Sequence, residues 1–377
     1  MLPAIAVVTL GAFAVALLGG AFTLAPSLAL THLVLSVGIL PLILSAMIYF
    51  VPVLTRSRAP AGIVRLPPAL ALLAGIAPVL AFVSVRPTAP ILDAGAVAGI
   101  AAATATAGWM AARAVRAIGA PHPGLYWYLA ALACLIVALC AVPAMRLWPE
   151  HYLALRRLHL HLNTLGFIGL TAVGTLQVLM PTVANRPDPA AAQRLRVDLG
   201  WALGGTLLVA VGSAWLAVLA VVGAALWAVV LVRLAAAWWA NFRGEIFARD
   251  GAAPSLGAAL LGLVVLLIAG VAHGERWLLS THAVPALFVA FLLPLVTGAL
   301  SHLLPLWRRP TQTAAWHDAR RRRLQRCSAV RAVLFVSGGV LLLLGVRAGY
   351  ALGGAALALF LLSVMRGSLL SDETATG

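Results

Sequence analysis

The sequence has no lysine, and only 10 of its 377 residues are acidic. Charged residues make up 10% of the chain and hydrophobic ones 63%, whereas a soluble domain carries roughly a quarter charged residues. A protein core alone cannot absorb that difference, so the solvent for most of this chain must be lipid. There is no long polar stretch that could fold as a soluble domain, which leaves a single membrane domain over 1–377. The three cysteines form no C-x-x-C pair, which removes a disulfide framework and a thiolate metal site. Cys134 and Cys140 lie in an apolar run and Cys327 in an arginine-rich loop, where they read as small hydrophobes. Carboxylates are missing from the middle of every apolar run: all ten fall at run ends, in loops or in the tail 371–377. Proton- and cation-coupled transporters usually place a carboxylate inside the membrane, so this absence counts against that class.

Apolar runs of about 20 residues, enough to cross the roughly 30 Å hydrocarbon layer as helices, recur along the whole chain. They fall near 3–24, 30–54, 66–86, 91–117, 124–145, 155–181, 197–216, 218–240, 254–272, 280–304, 329–346 and 349–368. The expected fold is an all-α, polytopic membrane protein of about 12 transmembrane helices. The stretch 197–240 is too long for one crossing and is split between Gly212 and Leu219. The first run, 2–26, lacks a positively charged leader and a clear cleavage site, so it is expected to persist as the first span.

The net charge is +16, and all 26 basic residues are arginine. They sit in short loops between apolar runs, the pattern of topology signals rather than of a nucleic-acid surface. The expected partner is therefore the lipid bilayer, with no nucleic acid. With twelve spans, 19 arginines share a side with both termini, six lie opposite and Arg233 falls within a span. The positive-inside rule then places both termini in the cytoplasm of a bacterial inner membrane. The loop 308–331, with eight arginines, is the strongest anchor and could also meet anionic lipid heads.

Three segments look alike. Each begins with a histidine and ends with a proline followed by arginine: His32 to Pro52 and Arg56, His161 to Pro181 and Arg186, His282 to Pro305 and Arg308. The histidine-to-proline separations are 20, 20 and 23 residues. The segments are every fourth span, so the expectation is three pseudo-repeats of four helices, 1–122, 123–243 and 244–377. Their histidines then start near the same outer face.

His159 and His161 are two residues apart, so on a helix they point about 200° apart. They cannot clasp one metal as an i, i+4 pair can, but they can serve two sites on opposite faces. Imidazole is a natural axial ligand for haem iron and a common copper ligand. The alternative is structural: one ring packs inside with its N–H on a carbonyl, and the other lies near the headgroups. His159, Asn163, Gly166, Leu170, Gly174 and Gln177 fall on one helical stripe. Its small residues suit close helix contact, and Asn163 and Gln177 could orient a ligand from behind. His302, near the inner end of its span, is either a further ligand or an interfacial histidine.

The run from His159-Leu160-His161-Leu162-Asn163-Thr164-Leu165-Gly166 through Gly174 to Met180-Pro181 resembles the His-x-His helix of haem–copper-oxidase-like membrane proteins. Twelve helices in three pseudo-repeats is also the plan of that superfamily's subunit I. The size and apolar economy look closest to the NnrS proteins of the nitric oxide response. The resemblance implies His159 and His161 as axial ligands of two haems, with His32 as a bis-histidine partner, and adds His282 to the cofactor region. It implies haem b, with copper as a second metal at His159, His161 or His302, and a respiratory-chain or cytochrome partner. The sequence has no His-Pro-Glu-Val-Tyr-like motif and no adjacent His-His pair, and its His-x-His falls on the sixth span rather than the tenth. Oxygen reduction is thus not expected; nitric oxide or metal-stress handling, or electron transfer, is. Two other classes stay open: a permease for an uncharged or anionic solute, whose broken helices the prolines Pro41, Pro285 and Pro294 would permit, and a metal-free assembly factor for a respiratory complex.

Overall fold

A computed structural model describes residues 1–23, 27–59, 62–84, 89–274 and 280–368. Arg86, Arg276, Glu275 and the tail 371–377 lie outside the described residues. Every described element is a helix or a helical turn. Among the described residues, eleven helices are long and apolar enough to cross a membrane, and a bent pair makes the number up to twelve. Ten of them are α1 (Leu2–Phe22), α2 (Ser27–Leu54), α3 (Gly62–Val83), α4 (Ala89–Val115), α5 (Gly124–Leu147), α6 (Pro149–Val183), α7 (Ala191–Ala214), α8 (Ala217–Ile246), α9 (Ala253–Gly274) and α10 (Thr281–Arg308), and the eleventh begins at Ala348. The bent pair is α11 (Ala314–Leu324) with α12 (Ser328–Leu343), at 44°; α13 (Ala348–Ser368) follows. The chain is an all-α polytopic membrane protein, as the composition requires.

The long run 197–240 turns at Trp215 and Leu216, inside the expected interval. Glycine decides this hairpin: a Cβ on Gly205 would sit 2.8 Å from the Gly223 carbonyl, and one on Gly223 2.6 Å from the Gly205 carbonyl. Two backbones that approach this closely pack well in lipid, where apolar burial gives no drive for helix association. The loop expected at 308–331 is partly helical, because α11 occupies its middle. Thr313 caps α11 by accepting the Trp316 N–H, as a threonine N-cap does.

Three helices contain a π-helical turn: Leu33–Ile39 in α2, Leu162–Gly169 in α6 and Leu287–Leu292 in α10. These are the three segments that look alike in sequence. Two of the turns run straight into Leu-Pro-Leu, with Pro41 and Pro294 second in the α-helix that follows. A proline there has no N–H for the carbonyl four residues back and its ring crowds that carbonyl, so the helix locally widens to i→i+5 bonding. The α6 turn has no proline. There Asn163 Nδ2 donates to the His159 carbonyl at 2.8 Å and Thr164 Oγ1 to the Leu160 carbonyl at 2.9 Å, and side chains that occupy carbonyls four residues back loosen the α-helical ladder.

Contacts divide the chain into two compact units. The first is Met1–Ala12, Thr23–Val178 and Pro189–Val230; the second is Phe13–Phe22, Leu179–Asp188 and Leu231–Gly377. In the first, Gly75 of α3 lies against the Ser36 carbonyl of the α2 π-turn, and Ser36 Oγ donates to the Gly75 carbonyl at 2.9 Å. In the second, Ala290 of the α10 π-turn is clasped by Gly262 of α9 and Gly339 of α12. A methyl on either glycine would run into Ala290.

Candidate ligand histidines in the first unit

His32 stands immediately before the α2 π-turn, and His161 immediately before the one in α6. The ring of His32 packs on Phe82 of α3, with centroids 4.9 Å apart and planes tilted by 38°. Its Nδ1 donates to the Leu28 carbonyl at 2.8 Å. His159 reaches across to α5, where its Nδ1 donates to the Ala138 carbonyl at 2.7 Å. His161 turns toward α7: its Nδ1 lies 2.9 Å from the Arg157 carbonyl and 3.0 Å from Ser213 Oγ. The Ser213 hydroxyl itself donates to the Ala210 carbonyl at 3.1 Å, so the ring N–H is shared between Arg157 and Ser213. The neighbouring Arg157 Nη1 also donates to the Ser213 carbonyl, at 3.2 Å.

In all three rings the partner of Nδ1 includes a carbonyl, which only accepts, so Nδ1 carries the proton and Nε2 is the basic nitrogen. A second partner on the far nitrogen is what fixes tautomer and ring orientation in metal-ligating histidines. The two other histidines with an assigned ring bond differ. His317 donates through Nε2 to the Arg309 carbonyl at 2.9 Å. His122 accepts the Gly124 N–H at Nδ1, 3.2 Å away. His161 faces another helix than His159, as their two-residue spacing requires.

The stripe along α6 largely meets α5. A Cβ on Gly166 would sit 2.6 Å from Cys134 Cβ, and one on Gly174 2.8 Å from Trp127 Cβ, in register with His159 on Ala138. Asn163 supports the site through the His159 carbonyl rather than through a ring. Gln177 lies elsewhere: 18 residues beyond His159 is about 27 Å along a helix, and its Oε1 accepts Arg194 Nε at 2.9 Å.

His282 and His302 belong to the second unit. The His282 ring covers Gly345, the positive-φ glycine (φ 78°) between α12 and α13, where a Cβ would come within 2.8 Å of Cε1. His302 is buried and its carbonyl accepts Arg321 Nε at 3.0 Å. Among the described residues, no three His, Cys, Asp or Glu side chains group closely enough to hold a metal ion by themselves.

Sequence reasoning missed one buried polar group. Asp198 is fully buried, at 0% exposure, in α7. The helix starts at Ala191, six residues before the expected span, so Asp198 lies about two turns inside a membrane-length helix and not at its end. Arg194, four residues earlier and also buried, is the signal that could have found it, since i and i+4 share a helix face. No family model and no curated protein sequence matches this chain.

Proposed function

We propose that this chain is a haem b-binding protein of the bacterial inner membrane, with both termini cytoplasmic, in which His32 and His159 are axial ligands and His161 serves a second metal group on the opposite face of α6. The observation that carries the reading is the shared hydrogen bond: three histidines on two helices each commit Nδ1–H to a carbonyl and so orient a basic Nε2. A packed histidine needs one such bond; three made through the same nitrogen suit a set of ligands. The donor set fits haem iron, and imidazole suits copper as the second metal. Bound haem supplies one-electron transfer and binds diatomic gases. The chain's own part is to fix the rings, to exclude water with the apolar faces of α2, α5 and α6, and to hold His159 from behind through Asn163. The role that follows is nitric oxide or metal-stress handling, or electron transfer with a respiratory partner, without oxygen reduction.

The test is an optical spectrum with metal analysis of protein purified from haem- and copper-fed cells. A Soret band that disappears in His159→Ala is expected. Protein with neither a Soret band nor bound copper would sink the reading.

Asp198 favours a second reading. A buried carboxylate beside a buried arginine inside α7 is the kind of group that solute carriers use. Solute uptake into proteoliposomes that is lost in Asp198→Asn and unchanged in His159→Ala would select the permease.

A further inference from the structure

The junction of α11 and α12, in the second unit, is the most basic place in the chain: residues 308–331 hold eight arginines and one acid, Asp318. Much of its polar chemistry is already used internally. The three residues between the helices are tied down by the loop before α9, where Cys327 N–H donates to Asp250 Oδ1 at 2.6 Å, Gly251 N–H to the Gln325 carbonyl at 3.2 Å and Ala329 N–H to the Arg249 carbonyl at 3.1 Å. Arg331 is fully buried at 0% exposure, and its guanidinium donates to the carbonyls of Arg326 at 2.6 Å and Leu324 at 3.2 Å, closing the end of α11. Helix ends buried in this way need such partners. Arg321 is paired with Asp318 at 3.2 Å. Arg322 and Arg326 remain exposed, and none of the bonds above uses their side chains.

A few residues beyond Arg326 in the chain, Ala329, Val330, Val333 and Leu334 line a shallow, open and almost wholly apolar depression of about 300 Å³ on α12. Val330 and Val333 are 50% and 64% exposed, on a helix whose surroundings are lipid. An apolar depression on a membrane helix that begins three residues after exposed Arg326, itself four residues after exposed Arg322, matches one amphiphile: acyl chain along the depression, phosphate at the arginines. Guanidinium is the side chain best suited to phosphate, since its planar fork gives parallel hydrogen bonds.

We propose that the α11–α12 junction is a specific binding site for an anionic phospholipid, with the phosphate held by Arg322 and Arg326 and one acyl chain in the depression Ala329–Leu334. This site is independent of the haem reading.

The experiment uses delipidated full-length protein in neutral detergent and measures binding of phosphatidylglycerol, phosphatidylcholine and glycerol 3-phosphate by native mass spectrometry, with thermal unfolding in parallel. Phosphatidylglycerol should bind and raise the unfolding temperature, while phosphatidylcholine and glycerol 3-phosphate bind far more weakly. Arg322→Gln with Arg326→Gln should weaken phosphatidylglycerol about 25-fold, taking about fivefold for each arginine. Val333→Trp, at an exposed position, should weaken it by filling the depression, and Arg347→Gln should leave it intact. Equal binding of the two phospholipids, full phosphatidylglycerol affinity in the double variant, or equal affinity for glycerol 3-phosphate would each overturn the proposal.

Discussion

The π-turns of α6 and α10 have the same backbone form and opposite causes. In α10 the turn is apolar and buried throughout, Leu287–Leu292, and it exists because Pro294 has no N–H for the Ala290 carbonyl, while Gly262 and Gly339 leave room for the widened backbone. Packing holds it. In α6 the turn is opened by Asn163 and Thr164, whose side chains take the carbonyls of His159 and Leu160. Polar chemistry holds it, and it acts on the candidate ligand itself. The α2 turn has both devices: Pro41 follows it, and Ser36 Oγ shares its one proton between the His32 and Gly75 carbonyls. A widened turn is thus available wherever a proline and a facing glycine allow one, and only in the first unit does it directly adjoin a ligand candidate.

The sharpest way to break this contrast is to remove the rings. His32→Ala and His159→Ala are each expected to lower haem content at least tenfold per mole of folded protein, read from the Soret band. His282→Ala, whose ring packs on Gly345 in the second unit, should keep it. Loss in all three would mean that the second unit shares the site. Next in size is Gly262→Ala. Its new methyl would collide with the Ala290 carbonyl, and overpacking of this kind costs about 1–3 kcal/mol. A lower unfolding temperature with an unchanged Soret band per folded molecule is expected; an altered spectrum would couple the α10 turn to the cofactor.

Much of this was legible in the sequence, and the residues show why. Apolar run length depends only on composition and bilayer thickness, so the eleven to twelve candidate spans and the hairpin near Gly212 to Leu219 follow from a linear reading. The three His-to-Pro segments were visible because the helices that carry π-turns share a local pattern. What the linear reading could not supply was anything set by a neighbouring helix. Asp198 sits where apolarity begins, while the helix starts earlier, at Ala191, and the full burial of Asp198 is set by its neighbours. Gln177 falls on the stripe of His159, yet α7 brings Arg194 to it. Which ring nitrogen of His159 carries a proton depends on Ala138, 21 residues away.

Smaller effects probe the α6 turn alone. Asn163→Leu frees the His159 carbonyl to accept a backbone N–H again. The net loss of one hydrogen bond is about 1 kcal/mol, so the fold should survive. The expected signature is a shift in the haem midpoint potential, since the backbone that carries His159 moves; Gly262→Ala should leave that potential unchanged. A variant with lowered stability and an unmoved potential would make Asn163 a packing residue like those of α10.

The smallest effect lies outside the membrane-spanning helices, in the loop between α4 and α5. Burial, and then the charge of Arg196, push the His122 imidazole below its ordinary pKa, which is about 6.5. Its geometry agrees, because Nδ1 accepts the Gly124 N–H at 3.2 Å and so must carry no proton. The folded chain therefore resists a proton that the unfolded chain accepts. Stability from this group is fully present above about pH 6.5 and falls as the medium is acidified below it, because there the unfolded state binds more protons. His122→Gln keeps an acceptor for Gly124 but cannot titrate, so the variant should lose less unfolding temperature than the parent between about pH 7.5 and about pH 5.5. Identical slopes for parent and variant would remove His122 from the acid response. The Soret band should be the same in both at either pH, since His122 is not among the candidate ligands.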